Sequence, residues 1–109
     1  EGVPPTLNDP ALLTQLRASW SSQLGDAIFH DKPRLGMGAE DFPYFTVDPY
    51  IPSVYFAVGG TPQEDFDRAG RGGEPVASHH SPLFKIAPKP SVELGVEASV
   101  SALLELLKP

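Results

Sequence analysis

The sequence predicts an α/β fold, and three observations carry that expectation. Two segments place apolar residues at helical spacing, one near each end of the chain. Between them, Ser53-Val54-Tyr55-Phe56-Ala57-Val58 is continuously apolar rather than alternating, the pattern of a strand buried on both faces. Thirteen prolines and ten glycines occupy about a fifth of the 109 residues, so long loops should connect few regular elements.

The elements follow in order. Residues 1–7, with Pro4-Pro5, read as an extended lead-in, since no helix runs through a Pro-Pro step. Asp9 is a suitable N-cap and Pro10 suits the first helical position. Leu13, Leu16, Trp20 and Leu24 form one stripe and Gly25 is a natural stop, predicting a helix over about 10–24. Ala27-Ile28-Phe29-His30 is a short apolar run that reads as a candidate strand. Pro33 to Gly38 is a loop in which Gly36 and Gly38 flank Met37, a pattern for a tight turn or a close backbone approach. Residues 40–45 can form one helical turn, limited by Pro43. After the main strand, Gly59-Gly60 ends the run.

Residues 61–79 read as a long polar loop, a length that is uncommon inside compact domains. Leu83-Phe84-Lys85-Ile86 reads as a brief extended piece. The last helix is expected over about 91–107, with Ser91 as N-cap. Val92, Val96, Val100, Leu103 and Leu107 form its stripe, widened by Leu94 and Leu104, so the helix should be deeply buried. Gly95 inside it costs about 1 kcal/mol relative to Ala, which a close helix–sheet contact would explain. One good strand is too few for a sheet. Either the chain borrows a sheet from another chain, or it is a piece of a larger α/β domain. The start at Glu1 reads as a cut or processed end.

Composition removes several function classes. Eight basic against fourteen acidic side chains give a net charge of −6, with too few cations to neutralise phosphates, so no nucleic-acid partner is expected. There is no basic run for a membrane surface, no apolar stretch long enough to span a bilayer and no signal-peptide core, which reads as a cytoplasmic location. Hydrophobic content is 40%, too high for a disordered chain. The absence of cysteine excludes disulfides and thiolate metal sites.

A metal would therefore need His, Asp or Glu. The candidates are His30, His79, His80 and the Glu40-Asp41 pair. The helical motif of two His around a Glu is missing. Adjacent His79 and His80 should point in different directions, and a loop His is more often solvated than ligating. Pro82 would stiffen the backbone after His80, and Phe84 would pack beneath it. For Glu40-Asp41, the acidic start of a helical turn competes with a carboxylate set in a cleft. No nucleophile elbow surrounds Ser81, and Gly70 to Gly73 lacks the features of a phosphate loop.

Three segments, in order, resemble the metal-dependent amidohydrolases of the two-metal carboxypeptidase superfamily, the group of hippurate hydrolase, aminoacylase and indole-acetyl-amino-acid hydrolase. They are Gly36-Met37-Gly38-Ala39-Glu40-Asp41-Phe42-Pro43-Tyr44-Phe45, Val54-Tyr55-Phe56-Ala57-Val58-Gly59-Gly60 and His80-Ser81-Pro82-Leu83-Phe84. Thr6-Leu7-Asn8-Asp9-Pro10 is similar to the segment where the chain returns from that family's lid domain, and a Gly-containing helix closes the family's chain, as Glu93-Leu94-Gly95-Val96 does here.

The resemblance implies that residues 1–109 are the C-terminal part of a discontinuous, zinc-exopeptidase-like catalytic domain, with helices packed on a mixed sheet. The lid domain and the N-terminal half would be absent. His80 aligns with the family's last metal ligand. Gly38, Glu40 and Asp41 align with a segment lining the cleft, touching substrate or supporting a ligand. The implied cofactor is a divalent metal, two ions per complete site, as Zn, Mn or Co. The implied substrate is an N-acyl amino acid or peptide-like amide. The implied partners are the rest of the catalytic domain and a second subunit, joined through the lid.

The family's remaining ligands and its general base lie upstream, so no catalytic residue is expected here and the isolated chain should be inactive. One His cannot hold two ions. The length of the 61–79 stretch leaves open whether His79 or His80 is the ligand. The competing class is a non-catalytic interaction module derived from such a hydrolase. An intact small domain with its own unrelated function is a third reading.

Overall fold

The computed structural model describes residues 2–31 and 38–109. Among them the chain is helical. Helix α1 spans Pro10–Leu24, α2 spans Gln63–Gly70 and α3 spans Pro88–Leu106, with 3₁₀ turns at Asp26–Ile28 and Phe42–Phe45. The expected α/β fold with a mixed sheet is therefore corrected. No strand or sheet occurs among the described residues, and β-pairing is limited to an isolated bridge between Val47 and Tyr50. A strand exists only through its neighbours. Residues 53–58 have the composition of one but meet no second strand, so they remain a lone segment. The expected strand at 27–30 is likewise replaced by the Asp26–Ile28 turn, and residues 83–86 begin in a turn.

Local signals place α1 where the sequence expects it. Asp9 accepts from the Leu12 amide at 2.9 Å, Pro10 takes the first turn, and Gly25 closes the helix at φ 82°, its N–H donating to the Ser21 carbonyl. Helix α3 starts at Pro88, earlier than the expected Ser91 cap. Pro88 and Pro90 sit in the first turn, where a missing N–H is tolerated. Ser91 instead donates its hydroxyl to the Gly59 carbonyl at 3.0 Å.

Helix α2 lies inside the stretch expected to be loop. Glu64 and Asp65 occupy its first turn and Arg68 its last, which suits the helix dipole. Asp65 pairs with Arg68 at 2.5 Å, and Gln63 donates to Asp67 at 2.9 Å. Its end is a Schellman motif. Gly72, at φ 83°, donates to the Ala69 carbonyl, and Gly73 donates to the Arg68 carbonyl.

The chain divides into two compact units, Glu1–Phe56 with Ala98–Pro109, and Ala57–Glu97. In the first, Leu16 and Trp20 of α1 and Ala98 and Ala102 of α3 form the buried core, with Leu12, Leu24, Ile28, Phe29 and Val54 packed against it. The Trp20 indole donates to the Ala98 carbonyl at 2.9 Å, and Ser19 and Ser101 share a hydroxyl–hydroxyl hydrogen bond of 3.3 Å. In the second, the Ala87 amide donates to the Gly60 carbonyl at 2.7 Å, and Gly95 faces Val58.

The α3 stripe departs from expectation. Val92, Val96, Val100, Leu103 and Leu107 are between 48% and 76% exposed, while the buried positions of α3 are Ala98, Ser101 and Ala102. The expectation of a deeply buried helix fails because its small-residue face, not its large one, makes the contact with α1.

Two glycine substitutions should act in opposite directions. A Cβ at Gly95 would meet Val58 at an ordinary 3.9 Å, so Gly95→Ala should stabilise by about 0.5–1 kcal/mol. A Cβ at Gly73 would lie 2.8 Å from the Arg68 carbonyl oxygen, so Gly73→Ala should destabilise by about 1–3 kcal/mol. Urea denaturation of both variants checks the pair.

Candidate functional site

His80 follows α2 in the second unit, on a turn held by local bonds. The Ser81 amide donates to the Ser78 carbonyl at 3.1 Å, the Phe84 amide donates to the Ser81 carbonyl at 3.0 Å, and the Ser81 hydroxyl accepts from the Leu83 amide at 3.1 Å. His80 takes a left-handed φ of 73°, uncommon for a residue with a Cβ. Its side chain is exposed, and Phe84 is also exposed rather than packed as a floor. The imidazoles of His79 and His80 do not diverge as expected; their centroids lie 5.0 Å apart with planes tilted by 54°.

Gly38, Glu40 and Asp41 lie in the first unit and are exposed. Among the described residues, no group lies within 4 Å of where a Gly38 Cβ would be; Gly36 and Met37, which share the expected tight turn or close approach, lie outside the described residues. Asp41 precedes the Phe42–Phe45 turn and accepts from the Tyr44 amide at 3.1 Å through its carbonyl. Pro43 of that turn is buried. His30 is exposed. Among the described residues, no three His, Asp or Glu side chains gather to hold a metal ion. The two histidines alone are too few donors for the implied ions.

The Phe42–Phe45 turn leads into a loop that returns to the start of α1. The Tyr50 hydroxyl donates to the Asp9 carboxylate at 2.6 Å, and the Ile51 amide donates to the Thr46 carbonyl at 2.9 Å. The Leu12 amide and then the Tyr50 hydroxyl hold the Asp9 carboxyl below its ordinary value of 3.8. The same hydrogen bond raises Tyr50 above 10.0. At the far end of α3, Glu105 is held low by Lys108 first and by Gln15 second. Gln15, Glu105 and Lys108, with Ser19 and Gln23, line an open groove of about 320 Å³.

Asn8 is a positioning residue that the spacing of the sequence does not reveal. Its side-chain amide accepts from the Tyr55 N–H at 2.7 Å and donates to the Tyr55 carbonyl at 3.1 Å. The neighbouring Asp9 amide donates to the Ser53 carbonyl at 2.9 Å.

The Asp9–Tyr50 contact has a defined pH dependence. A lowered carboxyl contributes stability that is fully present above its unfolded value and lost as pH falls through its folded value. Tyr50→Phe should move the Asp9 titration upward towards 3.8 but not reach it, because the Leu12 amide remains. A carboxyl-carbon NMR titration of both proteins measures this.

No helix among the described residues is long and apolar enough to cross a membrane. No family model, curated protein or solved structure matches the chain.

Proposed function

We propose that the chain is a segment of a metal-dependent amidohydrolase that cleaves the amide bond of N-acyl amino acids or related peptide-like substrates. The observation that carries this reading is the order of the Gly36–Phe45, Val54–Gly60 and His80–Phe84 motifs along one chain. The exposed imidazole of His80, on a turn with φ 73°, supports it: the ring is presented to whatever lies outside the chain. Backbone strain of this kind clusters at functional positions. In this reading His80 supplies one ligand to a divalent-metal site of Zn, Mn or Co. The other ligands come from a further part of the enzyme, and Gly38, Glu40 and Asp41 border the substrate. The 109 residues alone are inactive.

The test compares the chain alone with the chain joined to its upstream portion. Zn or Mn content and hydrolysis of N-acetyl and N-benzoyl amino acids are measured for each. The joined protein should bind metal and turn over, and the chain alone should do neither. His80→Gly should raise the stability of the isolated chain by about 1 kcal/mol, because glycine adopts positive φ freely. In the joined protein the same change should lower metal affinity by more than about 100-fold. Unchanged metal content in that variant overturns the reading and favours a non-catalytic interaction module.

A further inference from the structure

Two adjacent residues, Asn8 and Asp9, fasten three stretches of the first unit at one place. The Asp9 carboxylate caps α1 through the Leu12 amide at 2.9 Å and takes the Tyr50 hydroxyl at 2.6 Å, while the Asp9 amide donates to the Ser53 carbonyl at 2.9 Å. The Asn8 side chain holds both backbone groups of Tyr55, at 2.7 and 3.1 Å.

Both fastenings lead to the loop that begins at Glu40-Asp41. Through Asn8 the route is short. Tyr55 packs its ring against Phe42, with centroids 5.3 Å apart, and Phe42 follows Asp41 directly in the chain. Through Asp9 the route enters from the other end. Tyr50 bridges to Val47, the Val47 and Thr46 amides donate to the Pro43 carbonyl at 3.1 and 3.0 Å, and the Tyr44 amide donates to the Asp41 carbonyl at 3.1 Å. Packing alone gives this loop little support. Between Gly38 and Ile51 only Pro43 is buried, so the hydrogen bonds at Asn8 and Asp9 carry much of the restraint.

We propose that Asn8 and Asp9 are positioning residues for Glu40 and Asp41, fixing both flanks of the substrate-bordering loop by gripping Tyr55 and Tyr50. The proposal rests on the amidohydrolase reading, which places Glu40 and Asp41 at the substrate. Neither Asn8 nor Asp9 touches the substrate; each acts through the loop. Ordering an exposed loop costs backbone entropy. A loop held in advance spares the substrate that cost on binding, so a loosened loop raises KM and leaves kcat close to its starting value.

The joined protein and the isolated chain test this together. In the joined protein, Asn8→Ala and Tyr50→Phe should each raise KM for an N-benzoyl amino acid by about 3–10-fold, with kcat within about twofold and metal content unchanged. Gly25→Ala is the control for mere destabilisation. It strains the φ of 82° at the far end of α1 and touches no part of the loop, so KM should stay where it is. In the isolated chain, amide hydrogen exchange followed by NMR at Tyr44 reads the turn at Asp41. The Tyr44 amide should exchange about tenfold faster in Asn8→Ala and Tyr50→Phe, measured against the Trp20 amide within α1 in the same sample. Global unfolding moves both amides alike, so this ratio separates a loosened loop from a lost fold.

Variants that keep the KM of the unsubstituted protein overturn the role of Asn8 and Asp9 while the amidohydrolase reading stands. So does a rise in KM that Gly25→Ala reproduces, or an unchanged ratio at Tyr44. A joined protein that turns over no acyl amino acid overturns the reading, and this role with it.

Discussion

The first unit depends on how closely α1 and the end of α3 approach at Trp20. The indole N–H reaches the main-chain carbonyl of Ala98, a contact that requires small side chains where the two helices meet. Ser19, Ala98, Ser101 and Ala102 supply them. Burying two serines in this seam would be costly if their hydroxyls were unpaired. They bond to each other, and Ser19 also accepts from Gln23. Trp20 then packs its ring edge-to-face with Phe56 and gives its one polar atom to the helix backbone, so neither property of the indole is wasted.

That close seam sets the exposure of everything larger on α3. A helix that meets its neighbour through alanine and serine must turn its valines and leucines elsewhere, and here they face outward. These apolar side chains form a face that nothing among the described residues covers. The aromatic loop around the Phe42–Phe45 turn adds to it, with Phe45 74% and Tyr50 66% exposed. Among the described residues, no group of three His, Asp or Glu side chains gathers around His80.

Legibility in the sequence followed the range of the interaction involved. Helix α1 could be read because Asp9, Pro10 and Gly25 act within one turn of themselves. Helix α2 was legible in principle: Pro62, the Glu64-Asp65 pair, Arg68 and the Gly72-Gly73 stop are all local signals. Its glycines and charges read as loop because eight residues with little apolar content offer no stripe. The strand at 53–58 was misread for the opposite reason. Its composition is that of a strand, but pairing depends on residues far away in the chain. The outward turn of α3 was also out of reach, since periodicity reports that a face is apolar and not whether anything covers it. At the candidate site, the residue types and their order were legible. The left-handed backbone at His80 and the clasp formed by Asn8 were not, because both are set by three-dimensional neighbours.

The Asn8 clasp rests on the distinction between one nitrogen and one oxygen. A side-chain amide can imitate a peptide unit because it carries a donor and an acceptor side by side, matching the two backbone groups of Tyr55. A carboxylate has the same shape but only acceptors. Hydrolysis of that single amide, a change of one mass unit, would set an oxygen against the Tyr55 carbonyl. The ageing of one asparagine would thereby undo the clasp on Tyr55, while the Asp9 amide keeps its bond to the Ser53 carbonyl.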